Sequence, residues 1–211
     1  MGLDIERSVL LVVDVQNDFC PGGALGVPDG DAVIAPINRL ARSFRYVVAT
    51  QDWHPADHVS FAVNRKGHKP GDVVDVDGNP QVLWPVHCVQ GSSGAAFHPG
   101  LHVESATFIL RKGSHHALDS YSVLFENDKK TPTGLEGLLR SIGVNRVFLT
   151  GLAIDYCILY SALDAIKLGF EVFVVEDAVR GIDVPAGSVR KAIAELMSKG
   201  VRFVASKDVG E

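Results

Sequence analysis

Cysteine is scarce in this chain. Three in 211 residues are too few, and odd in number, for a disulfide framework. Long apolar stretches are missing too: the best runs, such as residues 9–13, fall far short of the ~18 residues that suggest a membrane span. Positive charge is not in excess, because 20 Lys plus Arg against 25 Asp plus Glu leave a net charge of −5. With an isoelectric point near 5.9, the chain lacks the basic footprint that binding a phosphate backbone needs. Neither nucleic acid nor a membrane is therefore an expected partner. No Gly-x-Gly-x-x-Gly or P-loop pattern follows a strand candidate, which argues against a nucleotide-binding module. There is no Asn-x-Ser/Thr acceptor, no internal repeat and no low-complexity tract. Segment 1–6 carries early acids and no basic region, so it does not read as a secretory signal. Glu6 also stands where myristoylation wants Ser or Thr. A reducing cytoplasm is the expected compartment.

What is present suits a globular enzyme. Hydrophobic residues make up 46% and charged residues 21%, a balance that excludes disorder. Short β-branched runs at 8–13, 46–50, 107–110, 146–150, 170–175 and 201–205 alternate with helix-period segments. The first helix is expected over 31–44, with Ile34, Ile37, Leu40, Ala41 and Phe44 on one face. Thr133 opens the next, with Glu136 three residues on as a capping box and Gly143 as its stop. Further helices are expected over 155–168 and 186–199, stopped by Gly169 and Gly200. The last three runs are near-continuously apolar, as parallel strands covered on both faces are. The expectation is an α/β fold, a single domain over 1–211: an open, mainly parallel six-stranded sheet flanked by helices on both faces. A long, irregular region rich in Gly, Pro and His, 52–105, is expected to form the active-site loops. Within it, Gly78-Asn79-Pro80 is a turn signal, and 62–83 carries no assignable role.

In such sheets, ligands bind at the carboxyl ends of the strands, and there the sequence concentrates its chemistry. The first run ends at Asp14, the second leads into Asp52-Trp53-His54, the third into Arg111-Lys112-Gly113, and the fourth into Gly151-Leu152-Ala153-Ile154-Asp155-Tyr156-Cys157. Cys157 is expected in the first turn of a helix, with Asp155 or its neighbour as N-cap. A helix N-terminus and the Lys112 ammonium would both lower the thiol's pKa. Asp14 would accept the thiol proton and return it to a leaving amine. The bland alternatives are a small buried cysteine and a structural Asp14–Lys112 ion pair. The convergence of all three groups on one edge favours a proton-transfer set.

A second cluster joins Asp52 and His54 to His87. Two imidazoles and a carboxylate suit one divalent transition-metal ion: zinc foremost, with iron and manganese also compatible. His58 is either a fourth ligand or a support behind the ligands. Phe19 and Trp84 flank the clusters and offer flat faces to a planar ring, or simply pack in the core. Cys20 and Cys88 lack a basic or helix-end setting and read as inert thiols. His68, His98, His102, His115 and His116 read as surface histidines.

These segments, with Asp14-Val15-Gln16-Asn17-Asp18-Phe19-Cys20, Trp84-Pro85-Val86-His87-Cys88 and Asp119-Ser120-Tyr121-Ser122, resemble the nicotinamidase/pyrazinamidase branch of the isochorismatase-like cysteine hydrolases. The resemblance runs in order over nearly the whole chain. It implies a metal-dependent amidase of NAD salvage, converting nicotinamide to nicotinate and ammonia, and pyrazinamide to pyrazinoate, through a thioester. It further implies Asp14, Lys112 and Cys157 as the catalytic triad, with the backbone N–H groups of Ala153 and Cys157 as the oxyanion hole. Asp52, His54 and His87 become metal ligands, Phe19, Trp84 and Tyr121 substrate-binding residues, and the peptide before Ala153 a cis bond. The implied partner is a small-molecule amide, and assembly of identical chains is compatible with this reading. A sister hydrolase acting on another amide or on an isochorismate-type ether is the alternative, and a thiol redox protein would need a resolving cysteine that no Cys-x-x-Cys supplies.

Overall fold

In the computed structural model, which describes residues 5–210, the apolar runs become strands of one sheet. They are β1 (Ser8–Val13), β2 (Val47–Asp52), β5 (Phe108–Lys112), β6 (Arg146–Leu152), β7 (Glu171–Arg180) and β8 (Arg202–Val204). Their order is β5-β2-β1-β6-β7-β8, and every neighbouring pair is parallel. The expected open six-stranded α/β sheet is thus formed, here wholly parallel. The reading of segment 1–6 falls mostly on residues 1–4, outside the described residues.

The alternation of side chains explains why helices cover both faces. All six residues of β1 are buried, but Leu10 and Val12 join one core and Val9, Leu11 and Val13 the other. The first core receives Ile34, Ile37 and Leu40 of α1 (Ile34–Leu40), and within it Phe148 stacks on Phe173 at 4.4 Å. The second core receives Leu135 and Leu139 of α2 (Leu135–Ser141), Ala162 and Ala165 of α3 (Leu159–Lys167), and Leu196 of α4 (Ser188–Ser198). A strand with a period of two sends alternate side chains to opposite faces, so a strand apolar at every position requires a cover on each.

Three local expectations need correcting. The first helix is shorter than 31–44: a 3-10 turn over Gly30–Val33 leads into α1, which ends at Leu40. The capping box at α2 does not form, for its N-cap is Gly134 and makes no side-chain cap. Thr133 instead donates its hydroxyl to Val123 O at 2.6 Å, and Glu136 pairs with Arg140. Part of segment 62–83, which carries no assignable role in the sequence, forms a two-stranded antiparallel hairpin, β3 (Val73–Val76) with β4 (Asn79–Val82). Its two-residue loop is Asp77-Gly78, both at positive φ (51° and 82°), the chemistry that a tight hairpin turn demands.

Candidate active site

Strand order places the chemistry. β5, β2, β1 and β6 are consecutive neighbours, and Lys112 pairs directly with Asp52 in the register of β5 and β2. Asp14 follows β1 in a left-handed conformation (φ 50°) that a non-glycine residue adopts only where its surroundings enforce it. Its amide N–H donates to Thr50 Oγ1 (3.2 Å), and Thr50 Oγ1 donates in turn to Asp14 Oδ1 (2.6 Å). The side chains of residues 14, 52 and 112 and the turn carrying residue 157 therefore meet at one edge.

Lys112 is the hub, 1% exposed. Its ammonium lies 2.9 Å from Asp14 Oδ2, pairs closely with Asp52 Oδ1, donates to Ser120 O at 2.8 Å and lies 3.6 Å from Cys157 Sγ. A carboxylate oxygen of Asp14, one of Asp52 and the Cys157 sulfur all fall within 4.8 Å of one another. Asp14 Oδ2 has no well-directed hydrogen bond of its own, which leaves a lone pair for a proton from the neighbouring thiol.

Electrostatics revises one expectation. Burial pushes the Cys157 thiol well up; Lys112 opposes this, and the Asp14 and Asp52 carboxylates reinforce it. These surroundings raise the thiol's pKa instead of lowering it, because desolvation and two carboxylates outweigh one ammonium. Burial also raises Asp14, against the pull of Lys112, so it takes up a proton more readily than an ordinary carboxyl. Lys112 is held well above its usual range: burial favours its neutral form, but Asp14 and Asp52 prevail. Asp52 is lowered, its burial outweighed by Lys112 and then His54.

Cys157 sits in a π-helical turn (Ile154–Ile158) that runs into α3. Asp155 is not its N-cap. Ala153 occupies that position without a side-chain cap, and the bonds from Tyr156 N and Ile158 N both end on Ala153 O. The Leu152–Ala153 peptide is cis, as the resemblance implied.

Next to this set, donor atoms of Asp52, His54 and His87 lie within 4.8 Å of one another, all three residues buried. His54 Nδ1 lies 2.8 Å from Gly113 O, and His87 Nδ1 2.8 Å from Pro85 O. A carbonyl only accepts, so each Nδ1 carries a proton, and in the neutral ring each Nε2 keeps a lone pair. Two oriented imidazoles and a carboxylate fit a divalent ion. His58 stacks on His54 with centroids 4.0 Å apart. Its Nε2 faces Leu118 O and its Nδ1 faces Ser60 Oγ, and it also offers a donor atom within 4.8 Å of donor atoms of His54 and Asp119.

Other motif residues brace the site. Gln16 accepts from Asp52 N and donates to Asp52 O, each at 2.9 Å, and so clamps that peptide from both sides. Asp18 accepts Cys88 N at 2.7 Å and fixes the loop that carries His87. Cys20 and Cys88 are buried and free, and burial raises both thiols, Cys20 to about 11.

Between the two clusters opens a cleft of about 430 Å³, open solvent at its mouth included. Phe19, Trp84, Tyr121, Asp52, His87, Ala153 and Cys157 line it, which brings together most of the residues singled out from sequence. Trp84 Nε1 donates to Tyr121 OH at 3.1 Å. The sequence reading missed Leu25, Val27, Asp119, Tyr156 and Ile182, which complete the walls. Only Tyr156, beside the cysteine, and Asp119, opening the Asp119-Ser120-Tyr121-Ser122 motif, carried any signal.

The isochorismatase domain model matches residues 8–208. The chain belongs to the isochorismatase family. Among its relatives, the nicotinamidase of Acinetobacter baylyi is 45% identical over 204 residues, covering 97% of this chain and 95% of the relative. The solved structure of a nicotinamidase/pyrazinamidase from Acinetobacter baumanii is 48% identical, with a TM-score of 0.93 over 96% of this chain and 97% of that one. A pyrazinamidase from Pyrococcus horikoshii, solved in complex with zinc, is 38% identical with a TM-score of 0.76, covering 94% of this chain and 99% of that one. Within this isochorismatase-family chain, no helix among the described residues is long and apolar enough to cross a membrane.

Proposed function

We propose that this chain, acting as a single hydrolase domain, is a nicotinamidase: it hydrolyses nicotinamide to nicotinate and ammonia, and pyrazinamide to pyrazinoate, in NAD salvage. The observation that carries this reading is the buried set in which Lys112 Nζ lies 2.9 Å from Asp14 Oδ2 and 3.6 Å from Cys157 Sγ, with Cys157 itself in the lining of the cleft.

Cys157 is the nucleophile. Its sulfur attacks the amide carbonyl as the S–H proton passes to Asp14, so proton transfer and attack are coupled, in keeping with a thiol whose pKa its surroundings raise. The backbone N–H groups of Ala153 and Cys157 receive the carbonyl oxygen as it becomes an oxyanion, a contribution of about 3 kcal/mol per donor. Asp14 hands the proton to the departing nitrogen. The C–N bond breaks, ammonia leaves, and a thioester joins the acyl group to Cys157. Asp14 then takes a proton from a water as that water attacks the thioester; the C–S bond breaks, and the proton returns to sulfur. Lys112 keeps its proton throughout and holds Asp14 in place beside the sulfur.

Asp52, His54 and His87 would hold one divalent transition-metal ion, with zinc the first choice since a similar pyrazinamidase is known with zinc. Bound there, the ion supplies a Lewis-acidic point for the ring nitrogen of the substrate. Phe19, Trp84 and Tyr121 offer faces to the ring. The partner is thus a small-molecule amide, and the compartment we propose is the cytoplasm. Ammonia release from nicotinamide, measured beside a panel of unrelated amides and with elemental analysis of the protein, tests this reading. No turnover of nicotinamide or pyrazinamide would reject it in favour of a sister hydrolase.

A further inference from the structure

Asp155 lies two residues before the proposed nucleophile, is 5% exposed and has no part in the chemistry above. Its carboxylate is nevertheless fully used. Oδ1 accepts the N–H of Ile182 at 3.1 Å, while Oδ2 accepts the N–H of Asp183 at 2.9 Å and the hydroxyl of Ser188 at 2.6 Å. Tyr156, the next residue, donates its hydroxyl to Val184 O at 2.6 Å. Both residues immediately before Cys157 therefore hold one segment, 181–188, which links β7 to α4.

That segment is built to be held there. A Cβ on Gly181 would stand 3.0 Å from Asp155 Oδ1 and 2.3 Å from Val189 Cγ2, so only a residue without a side chain lets the backbone pass this close. Asp183 folds the segment onto itself, its Oδ1 accepting Gly187 N (2.9 Å) and Val189 N (3.1 Å). The segment sends Ile182 into the lining of the cleft, on whose wall Tyr156 and Cys157 also lie. Three donors on one buried carboxylate make a stiff tie, and the tie ends two residues from the sulfur. Wall and nucleophile are thereby held in one register.

We propose that Asp155 is a positioning residue that fixes Ile182 as the wall against which the ring of the amide substrate rests, so that substituents on the ring are discriminated at this wall. The proposal rests on the amidase reading above. A pocket wall that gains or loses the space of one methyl group discriminates by about 10- to 200-fold, so its placement sets a measurable preference.

The test uses the metal-loaded full chain with nicotinamide and a ring-methylated nicotinamide as paired substrates. Asp155→Asn keeps the volume but replaces one acceptor oxygen by an amide nitrogen. It should raise KM for nicotinamide about tenfold, hold kcat within about threefold, and cut the kcat/KM preference for the unsubstituted ring about tenfold. In an Ile182→Ala background the same substitution should leave the preference unchanged to within about twofold, because the wall it positions is already gone. Ser188→Ala, which removes one donor of three, should shift the preference in the same direction by less. A fall in kcat alone with the preference intact, or an equal shift of preference in both backgrounds, would overturn the proposal and leave Asp155 a merely structural residue. Should Asp155→Asn not fold, an unchanged preference in both Ser188→Ala and Ile182→Ala overturns it equally. Absence of nicotinamide turnover by the unsubstituted enzyme would overturn the amidase reading itself, and that result is told apart because it needs no variant.

Discussion

Gly113→Ala puts the metal-site geometry to a sharp test. Gly113 follows the hub lysine at φ 61°, and its carbonyl accepts the Nδ1–H of His54 at 2.8 Å. A Cβ added there would stand 2.5 Å from His54 Cε1 and 2.8 Å from Nδ1. Carbon contacts settle at about 3.5–4.0 Å, so the imidazole has to yield by roughly 1 Å. It has little room to do so, being 1% exposed, stacked on His58 at 4.0 Å and met edge-on by Phe61 and His87. Metal–ligand bonds tolerate errors of only about 0.2 Å. The expected loss is therefore at least the 10- to 100-fold in affinity typical of a disturbed support behind a ligand, or about 1.4–2.7 kcal/mol. Folding should suffer as well, by about 1–2 kcal/mol for Ala in a left-handed conformation and about 1–3 kcal/mol for overpacking. Elemental analysis against a chelator-buffered zinc series, beside a thermal melt, reads both effects. A Gly113→Ala protein that binds zinc with unchanged stoichiometry and affinity would refute the placement of His54 as a ligand.

The remaining predictions concern protons and the nucleophile. Cys157→Ala should abolish turnover while nicotinamide binding stays measurable by calorimetry; residual hydrolysis at even a few per cent would point to another nucleophile. Asp14→Asn should cost about 10²–10⁴-fold in kcat, the usual worth of a positioned acid–base group. A variant retaining half its activity removes Asp14 as the proton carrier. Glu126 is pushed up to about 7 from an ordinary 4.5, chiefly by burial against the opposing pull of a Ser120 hydrogen bond, and its Oε2 has no hydrogen-bond partner in the structure. Between these two values the folded protein holds a proton that the unfolded chain releases, so this residue's contribution to stability is lost as pH rises. Glu126→Gln should match the parent below pH 4.5 and gain on the order of 2 kcal/mol over it by pH 7. Urea unfolding at several pH values decides this, and a pH-independent difference would contradict it.

Much of the fold is legible in the sequence because its signals are local. Continuous apolar strands announce burial on both faces, and the polar residues that end them stand out against that background. Elements whose outcome depends on neighbours are less legible. The capping box at Thr133 is lost because the helix starts one residue later, with Gly134 as its N-cap, so that Thr133 Oγ1 accepts Leu135 N at 3.3 Å while its hydroxyl donates to Val123 O. Asp155 resembles an N-cap in sequence but turns to the 181–188 segment. The hairpin over Val73–Val82 escaped because its strands are half exposed and so lack a strong apolar pattern, although Gly78-Asn79-Pro80 signals a turn there.

By itself the sequence determined the strand runs, the family resemblance and the residue types gathered at strand ends, since each depends on short-range pattern. Tertiary structure alone decided that β5, β2, β1 and β6 stand side by side, and with that, that Asp14, Lys112, Asp52 and Cys157 share one desolvated volume. It also decided the direction in which the thiol's pKa moves. Lysine beside cysteine reads as activation when only the pair is considered. Burial and two carboxylates within 4.8 Å of each other and of the sulfur reverse the sign, because Coulomb terms sum over every neighbour in space, and sequence order does not list those neighbours.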